Sequence, residues 1–129
     1  MENYRILIVD DEENLRVGMA TILEDEGFEV HEAANGKIGI EKLEQGIYDL
    51  IITDYKMNEM DGMKFLELLK ADYPSMKVIM VTGYGTIEHA VEAMKLGAVN
   101  YMTKPVNRKT LVETLQTYLG HAQRAKHTR

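Results

Sequence analysis

The alternation of short apolar runs with segments of helical periodicity constrains the fold of this chain more than any other feature. Residues 6–9, 50–52 and 78–81 form continuous apolar runs rich in β-branched side chains, a pattern typical of parallel strands that are buried on both faces. Residues 28–31 and 99–103 are weaker candidates that suit strands nearer an edge of the sheet. The sequence therefore predicts five parallel strands.

Five segments between and after these runs carry apolar residues at helical spacing. In the fourth segment the apolar stripe consists of Ile87, Ala90, Val91 and Met94. A stripe of this kind normally faces the core, so we expect Met94 to be buried, like Met19 and Met80. Gly27 and Gly97 follow helical segments at positions where a left-handed residue commonly ends a helix.

The strand–helix alternation predicts the α/β class, as a (βα)5 unit with right-handed crossovers and helices on both faces of a parallel sheet. The 129 residues leave room for one domain, since domains typically have about 100–200 residues. The absence of cysteine excludes a disulfide framework and a thiolate metal site. No apolar run is long enough for a signal peptide or a membrane span, so we expect a cytoplasmic protein without membrane contact.

The net charge of −6 predicts that this domain does not bind the phosphate backbone of a nucleic acid directly. The basic residues Arg124, Lys126 and Arg129 nevertheless lie close together, with no acid among residues 121–129. We expect residues 1–120 to form the domain. Residues 121–129 would be a basic C-terminal tail, either a solvated helix end favoured by the helix dipole or the start of a linker.

Polar residues follow the apolar runs where the predicted strands end. Asp10 and Asp11 follow the run at residues 6–9, and Asp54 follows the run at residues 50–52. Thr82 follows residues 78–81, and Lys104 follows residues 99–103. Ligands of such sheets bind outside the carboxyl ends of the strands, so we expect these side chains to share one cleft. Three neighbouring carboxylates repel one another and favour a cation, for which Mg²⁺ is suited. A metal, a lysine and a hydroxyl around one carboxylate favour transfer of a phosphoryl group to it.

Each of these residues alone has a simpler explanation. Asp10 and Asp11, for example, could be acids at the start of the first helix that its dipole favours. The joint occurrence of all these residues resembles the receiver domain of bacterial two-component response regulators, over residues 4–120. The matching elements are Asp10-Asp11, Asp54, Met60-Asp61-Gly62, Thr82, Tyr101 and Lys104-Pro105. The resemblance implies a flavodoxin-like sheet with the strand order 2-1-3-4-5.

The resemblance also implies a role for each acidic residue. Asp54 would accept the phosphoryl group from a phosphohistidine of a sensor histidine kinase. Asp11 and Asp54 would bind Mg²⁺ directly, together with the backbone carbonyl of Lys56. Asp10 would act on the ion through a water molecule.

Three further residues would respond to the phosphoryl group. Lys104 would bind a phosphoryl oxygen, and the Lys104–Pro105 peptide bond would be cis. Thr82 would shift to hydrogen-bond the phosphate, and Tyr101 would rotate inward behind it. These movements would bias a two-state surface formed by the fourth helix, the fifth strand and the fifth helix.

That surface would control an output domain or a downstream effector protein, with transcription as the regulated process. Residues 82–98 look most like receivers of the sigma-54-dependent activator group. A homodimer formed through the same surface is a further expectation. The domain would catalyse only its own phosphorylation and dephosphorylation, and would not be an enzyme for other substrates.

Two other classes of protein share parts of this pattern. A phosphatase of the haloacid dehalogenase type also forms an aspartyl phosphate, but it needs an Asp-x-Asp motif after the first strand, where this chain has the adjacent Asp10 and Asp11. A flavin-binding electron carrier with this fold needs a hydroxyl- and glycine-rich phosphate loop at the same place, and here four acids occupy it.

Overall fold

The computed structural model describes residues 3–57, 60–83 and 86–120. Within these ranges five strands alternate with five helices. The strands are β1 (Arg5–Val9), β2 (Glu29–Ala33), β3 (Leu50–Asp54), β4 (Lys77–Thr82) and β5 (Asn100–Thr103). The helices are α1 (Glu13–Asp25), α2 (Gly36–Gln45), α3 (Gly62–Asp72), α4 (Ile87–Lys95) and α5 (Arg108–Leu119). None of these helices is long and apolar enough to cross a bilayer. The predicted tail, residues 121–129, lies outside the described residues.

The five strands form one parallel sheet in the order β2-β1-β3-β4-β5. This confirms the predicted α/β fold and the strand order 2-1-3-4-5. The direction of the crossovers reverses between β1 and β3, because β2 lies on one side of β1 and the later strands lie on the other. Such a reversal opens a crevice at the carboxyl ends of the strands.

Two apolar cores lie on opposite faces of the sheet. Leu7, Val9 and Ile51 pack on the face covered by α2, α3 and α4, in the same cluster as Phe65 and Leu66. The alternate residues of the same strands pack on the other face, against α1 and α5; they include Ile6, Ile8, Leu50 and Ile52. Burial on both faces explains why the runs in the sequence are continuous instead of alternating with polar residues.

The predicted helix ends are confirmed at two glycines. Gly27 and Gly97 have φ angles of 97° and 109°, in the left-handed region that side chains disfavour. Each follows the end of a helix, α1 or α4, and allows the chain to turn into the next strand.

The apolar stripe of α4 is exposed, so the prediction that it faces the core is wrong. Ile87, Val91 and Met94 are 81%, 46% and 47% exposed, whereas the buried residue of this helix is Ala93. Met19 and Met80 are buried as predicted. The physical reason for the difference is that α4 packs through a small side chain, which leaves its larger apolar residues on the far side. Helical periodicity identifies an apolar face without identifying what covers it.

The first turn of α3 packs directly against the end of β3. The N–H of Gly62 donates to the carbonyl of Tyr55 at 2.7 Å, and Asp61 caps the helix by accepting from the N–H of Lys64 at 2.8 Å. A Cβ atom at position 62 would overlap the carbonyl oxygen of Asp54 and lie 2.9 Å from the Cα of Tyr55. The Met-Asp-Gly turn therefore has a steric reason for its glycine.

We expect the Gly62→Ala variant to be less stable than the wild type by about 3 kcal/mol, because backbone atoms cannot move aside as a flexible side chain can. Urea unfolding measures this change. Gly18→Ala is the matched control, since Gly18 lies inside α1 and a Cβ atom there would meet no atom of another element within 4 Å. Alanine there should stabilise the helix by up to about 1 kcal/mol. Equal stability of the two variants would contradict the steric argument.

Candidate functional site

The carboxyl ends of β1, β3 and β5 bring Asp11, Asp54 and Lys104 into the lining of one cleft of about 540 Å³. The predicted residues Asp10 and Thr82 are buried. Oxygen atoms of Asp10, Asp11 and Asp54 all lie within 4.8 Å of one another. The lining of the cleft consists of Asp11, Glu12, Asp54, Lys56, Met57, Gly83 and Lys104. The sheet topology thus assembles the acidic group from residues up to 44 positions apart in the chain.

Asp10 is 1% exposed and is held by its main chain as well as its side chain. Its N–H donates to the carbonyl of Ala33 at 3.1 Å, and its Oδ1 accepts from the N–H of Glu12 at 2.9 Å. Its buried Oδ2 receives no hydrogen bond of good geometry from the described residues, although Lys104 Nζ lies 3.1 Å away as an ion-pair partner. A buried carboxylate oxygen that still has accepting capacity, beside two further carboxylates, fits the oxygen-ligand preference of Mg²⁺.

Lys104 forms ion pairs with the carboxylates of the site. Its Nζ lies 3.1 Å from Asp10 Oδ2, 3.3 Å from Asp54 Oδ2 and 3.5 Å from Glu12 Oε1, and its side chain is 12% exposed. Burial alone lowers the pKa of Lys104, but the hydrogen bonds and charges of Asp10 and Asp54 raise it above the ordinary value. The ammonium therefore stays charged. The Lys104–Pro105 peptide bond is cis, as the resemblance implied.

The pKa of Asp54 is raised to about 6, chiefly by burial and secondly by the negative charge of Asp10. Lys104 and the backbone N–H of Lys56 act in the opposite direction, because both favour the ionised carboxylate. At neutral pH the group is still mostly ionised. A carboxylate with a raised pKa, facing a cation across a cleft, has the features of a nucleophile.

Thr82 and Tyr101 lie side by side next to this cleft. Thr82 is buried, and a hydrogen bond joins its side chain to that of Tyr101. Tyr101 packs against the core on the α4 face, and burial raises its pKa. The structure thus places both predicted residues together, while the movements expected of them concern the phosphorylated protein and remain predictions.

Two sets of contacts near the cleft involve residues that the sequence did not single out. Arg16 Nη1 donates to the backbone carbonyl of Asp10 at 2.8 Å, and its Nε donates to Glu32 at 2.9 Å. The rings of Tyr55 and His89 stack with centroids 4.4 Å apart and planes inclined by 28°. Neither pair has a signal in local spacing, because each joins separate elements through the tertiary fold.

The comparisons with known proteins agree with this geometry. The family model of the response regulator receiver domain matches residues 6–116. A putative NtrX-like response regulator of Rickettsia bellii is 45% identical over 113 residues, which are 86% of this chain and 24% of that protein. The transcriptional regulatory protein ZraR of Escherichia coli is 36% identical over 120 residues, which are 93% of this chain and 27% of that protein.

The chain therefore spans about a quarter of the length of these curated relatives. Among solved structures, a CheY-like response regulator receiver domain protein from Methanospirillum hungatei superposes with a TM-score of 0.86 at 40% identity, covering 90% of this chain and 93% of that one. The family model covers most of the sequence, and the fold of the solved receiver domain is the same. The chain belongs to the response regulator receiver domain family.

Proposed function

We propose that this domain is a phosphoacceptor signalling switch in which Asp54 receives a phosphoryl group from a phosphohistidine of a sensor histidine kinase. The observation that carries the proposal is the position of Asp54, a buried carboxylate between two further aspartates and a lysine. An Asp54 oxygen attacks phosphorus, and the P–O bond forms as the P–N bond breaks. The imidazole nitrogen leaves with the bonding electron pair.

The proposed Mg²⁺ site consists of Asp10, Asp11, Asp54 and the backbone carbonyl of Lys56. The clustered carboxylate oxygens and the accepting capacity of Asp10 Oδ2 support this assignment. The bound ion supplies positive charge that offsets the charge of the phosphoryl oxygens. The chain itself orients the acceptor, because the N–H of Lys56 holds the Asp54 carboxylate in place.

Three residues respond to the phosphoryl group in this proposal: Lys104, Thr82 and Tyr101. Lys104 lies 3.3 Å from Asp54 and binds a phosphoryl oxygen as a point charge. Thr82 donates its hydroxyl to another oxygen, which alters its present hydrogen bond with Tyr101. Since Tyr101 belongs to β5, next to α4, the change reaches the surface formed by α4, β5 and α5.

This surface controls an output domain or a downstream effector in our proposal, with transcription as the regulated process and the cytoplasm as its location. The curated relatives are about four times as long as the matched region, which is consistent with further domains in proteins of this type. A sigma-54-dependent architecture, as suggested by residues 82–98, belongs to the same proposal. Residues 1–120 act as the switch and residues 121–129 as a tail or linker, without direct nucleic-acid contact by the switch.

The labelling of Asp54 tests the central proposal. Acetyl phosphate with Mg²⁺ should add one phosphoryl group, detected by intact-protein mass spectrometry, and a chelator should prevent the addition. Peptide mapping should locate the group on Asp54. Equal labelling with and without a divalent cation, or a group located elsewhere, would overturn the assignment. Steady turnover of phosphorylated metabolites would favour the phosphatase alternative.

A phosphorylation-dependent homodimer through the surface of α4, β5 and α5 is supported by the exposed apolar stripe of α4. Ile87, Val91 and Met94 are turned to solvent. Glu88 lies in the first turn of α4 and Lys95 in the last. Antiparallel pairing of two α4 helices around a two-fold axis would bury both stripes and bring Lys95 of each copy towards Glu88 of the other.

We expect beryllofluoride, a phosphoryl mimic, to increase the mass of the wild-type protein in light scattering and to leave the Val91→Asp variant monomeric, because a buried unpaired carboxylate opposes the interface. Val17→Asp is the matched control, since Val17 is 45% exposed and lies on α1. It should dimerise like the wild type. An unchanged wild-type mass, or equal behaviour of the two variants, would refute dimerisation through α4.

A further inference from the structure

Arg16 connects the acidic loop after β1 to strand β2. Its guanidinium donates through Nη1 to the backbone carbonyl of Asp10 at 2.8 Å and through Nε to Glu32 Oε1 at 2.9 Å. The Arg16 side chain is only 14% exposed. Arg16 is absent from the lining of the cleft, and it contacts Asp10 through the backbone carbonyl and not through the carboxylate.

The other groups of Asp10 are also fixed. The N–H donates to the carbonyl of Ala33, at the end of β2, and Oδ1 accepts from the N–H of Glu12. Oδ2 is buried and lies 3.1 Å from Lys104 Nζ. Of the contacts that hold the Asp10 main chain, the one from Arg16 is made by a side chain. It is therefore the contact that a substitution can remove without changing the backbone.

We propose that Arg16 is a positioning residue for the Mg²⁺ site. Its fork of donors fixes the Asp10 carbonyl relative to β2, and so sets where the carboxylates of Asp10 and Asp11 stand. Groups that orient metal ligands in this way commonly change metal affinity when they are lost. This inference rests on the proposed function of the three aspartates.

If only the charge of Arg16 mattered, its removal would change the Mg²⁺ affinity in the opposite direction. The guanidinium is positive and repels a cation, so its removal would tighten Mg²⁺ binding if charge alone mattered. Lysine keeps the charge, but its ammonium lacks the planar fork that serves both the Asp10 carbonyl and Glu32. The two substitutions Arg16→Met and Arg16→Lys therefore separate position from charge.

Isothermal titration calorimetry with Mg²⁺ on the full chain provides the test. We expect both variants to bind Mg²⁺ about tenfold more weakly than the wild type. Arg108→Met is the matched control, because Arg108 also forms ion pairs at α1, with Asp25 at the end of the helix and with Glu26 directly after it. Its affinity should equal that of the wild type. Unchanged binding by Arg16→Lys, or tighter binding by Arg16→Met, would overturn the proposal.

A second measurement separates positioning from a loss of folding. The dependence of acetyl phosphate labelling on Mg²⁺ concentration should shift to higher concentration in Arg16→Lys, while the rate at saturating Mg²⁺ stays near the wild-type value. A lower saturating rate with an unchanged midpoint would count against positioning. If the wild type and Asp11→Asn bind Mg²⁺ equally, the proposed metal site itself fails, which is distinct from a failure of Arg16 alone.

Discussion

The Asp54→Asn variant is expected to lose phosphorylation by acetyl phosphate and, at neutral pH, to unfold less readily than the wild type. The loss of labelling follows because an amide is not a nucleophile for phosphorus under these conditions. The gain in stability follows because Asp54 is 6% exposed and ionised beside Asp10. Removing one of two neighbouring buried charges of the same sign relieves their repulsion.

The gain in stability from Asp54→Asn should increase as the pH rises. The pKa of Asp54 rises from 3.8 to about 6 on folding. Between these values the folded protein binds more protons than the unfolded chain, so the contribution of Asp54 to stability falls as pH rises, and the full penalty is present above the folded pKa. The shift corresponds to at most about 3 kcal/mol. Because asparagine also gives up the ionic contact with Lys104, we expect a net gain of about 1–2 kcal/mol at pH 8.

Urea unfolding at pH 4 and pH 8, with chelator present, measures this effect, which should be much smaller at pH 4. Asp49→Asn is the matched control. Asp49 precedes β3 and accepts a hydrogen bond from the N–H of Arg5 at 2.8 Å, so its replacement should bring no gain at pH 8. An Asp54→Asn variant that is less stable than the wild type at pH 8 would contradict the burial argument.

The Lys104→Met variant is expected to be destabilised by about 3 kcal/mol when divalent cations are removed. Methionine keeps the apolar stem, but the carboxylates of Asp10 and Asp54 lose the ammonium that lies 3.1 Å and 3.3 Å from them. Breaking a buried ion pair on one side leaves the other charge uncompensated, which typically costs about 3–5 kcal/mol. Addition of Mg²⁺ should restore stability to this variant more than to the wild type.

Thermal and urea unfolding with chelator and with Mg²⁺ measure both parts of this expectation. Lys64→Met, on the exposed side of α3, removes the same charge away from the cleft and should behave like the wild type. The double variant Asp54→Asn with Lys104→Met should be more stable than Lys104→Met alone, because it removes a carboxylate together with its cation. A Lys104→Met protein that is as stable as the wild type in chelator would refute the role of Lys104 as counter-ion.

The sequence predicted the sheet and the cleft because both depend on local signals. Continuous apolar runs identify strands buried on two sides, and parallel strands carry their carboxyl ends to one edge, so the sequence alone places Asp10, Asp54 and Lys104 together. The strand order came from the family resemblance. The orientation of α4 was predicted wrongly because the pattern of Ile87 and Met94 shows a face and says nothing about its neighbour.

The contacts of Arg16 and the stacking of Tyr55 on His89 could not be predicted for a different reason. Each contact depends on how a loop or strand end meets a helix, to within a few tenths of an ångström. Apolar periodicity does not carry that information. A guanidinium that donates to a main-chain carbonyl is also independent of the identity of its partner side chain, so no pair of residue types marks it.

The contacts of Lys104 with Asp10, Glu12 and Asp54 bear on whether the chain needs a metal ion to fold. Some small metal-binding domains cannot fold until their ion arrives, because nothing else offsets their charged ligands. Here a residue from the last strand–helix junction supplies that charge from within the same polypeptide. We therefore expect the newly synthesised chain to complete both cores without a bound ion. Under the proposed function, removal of magnesium should stop phosphorylation of the domain and leave the domain folded.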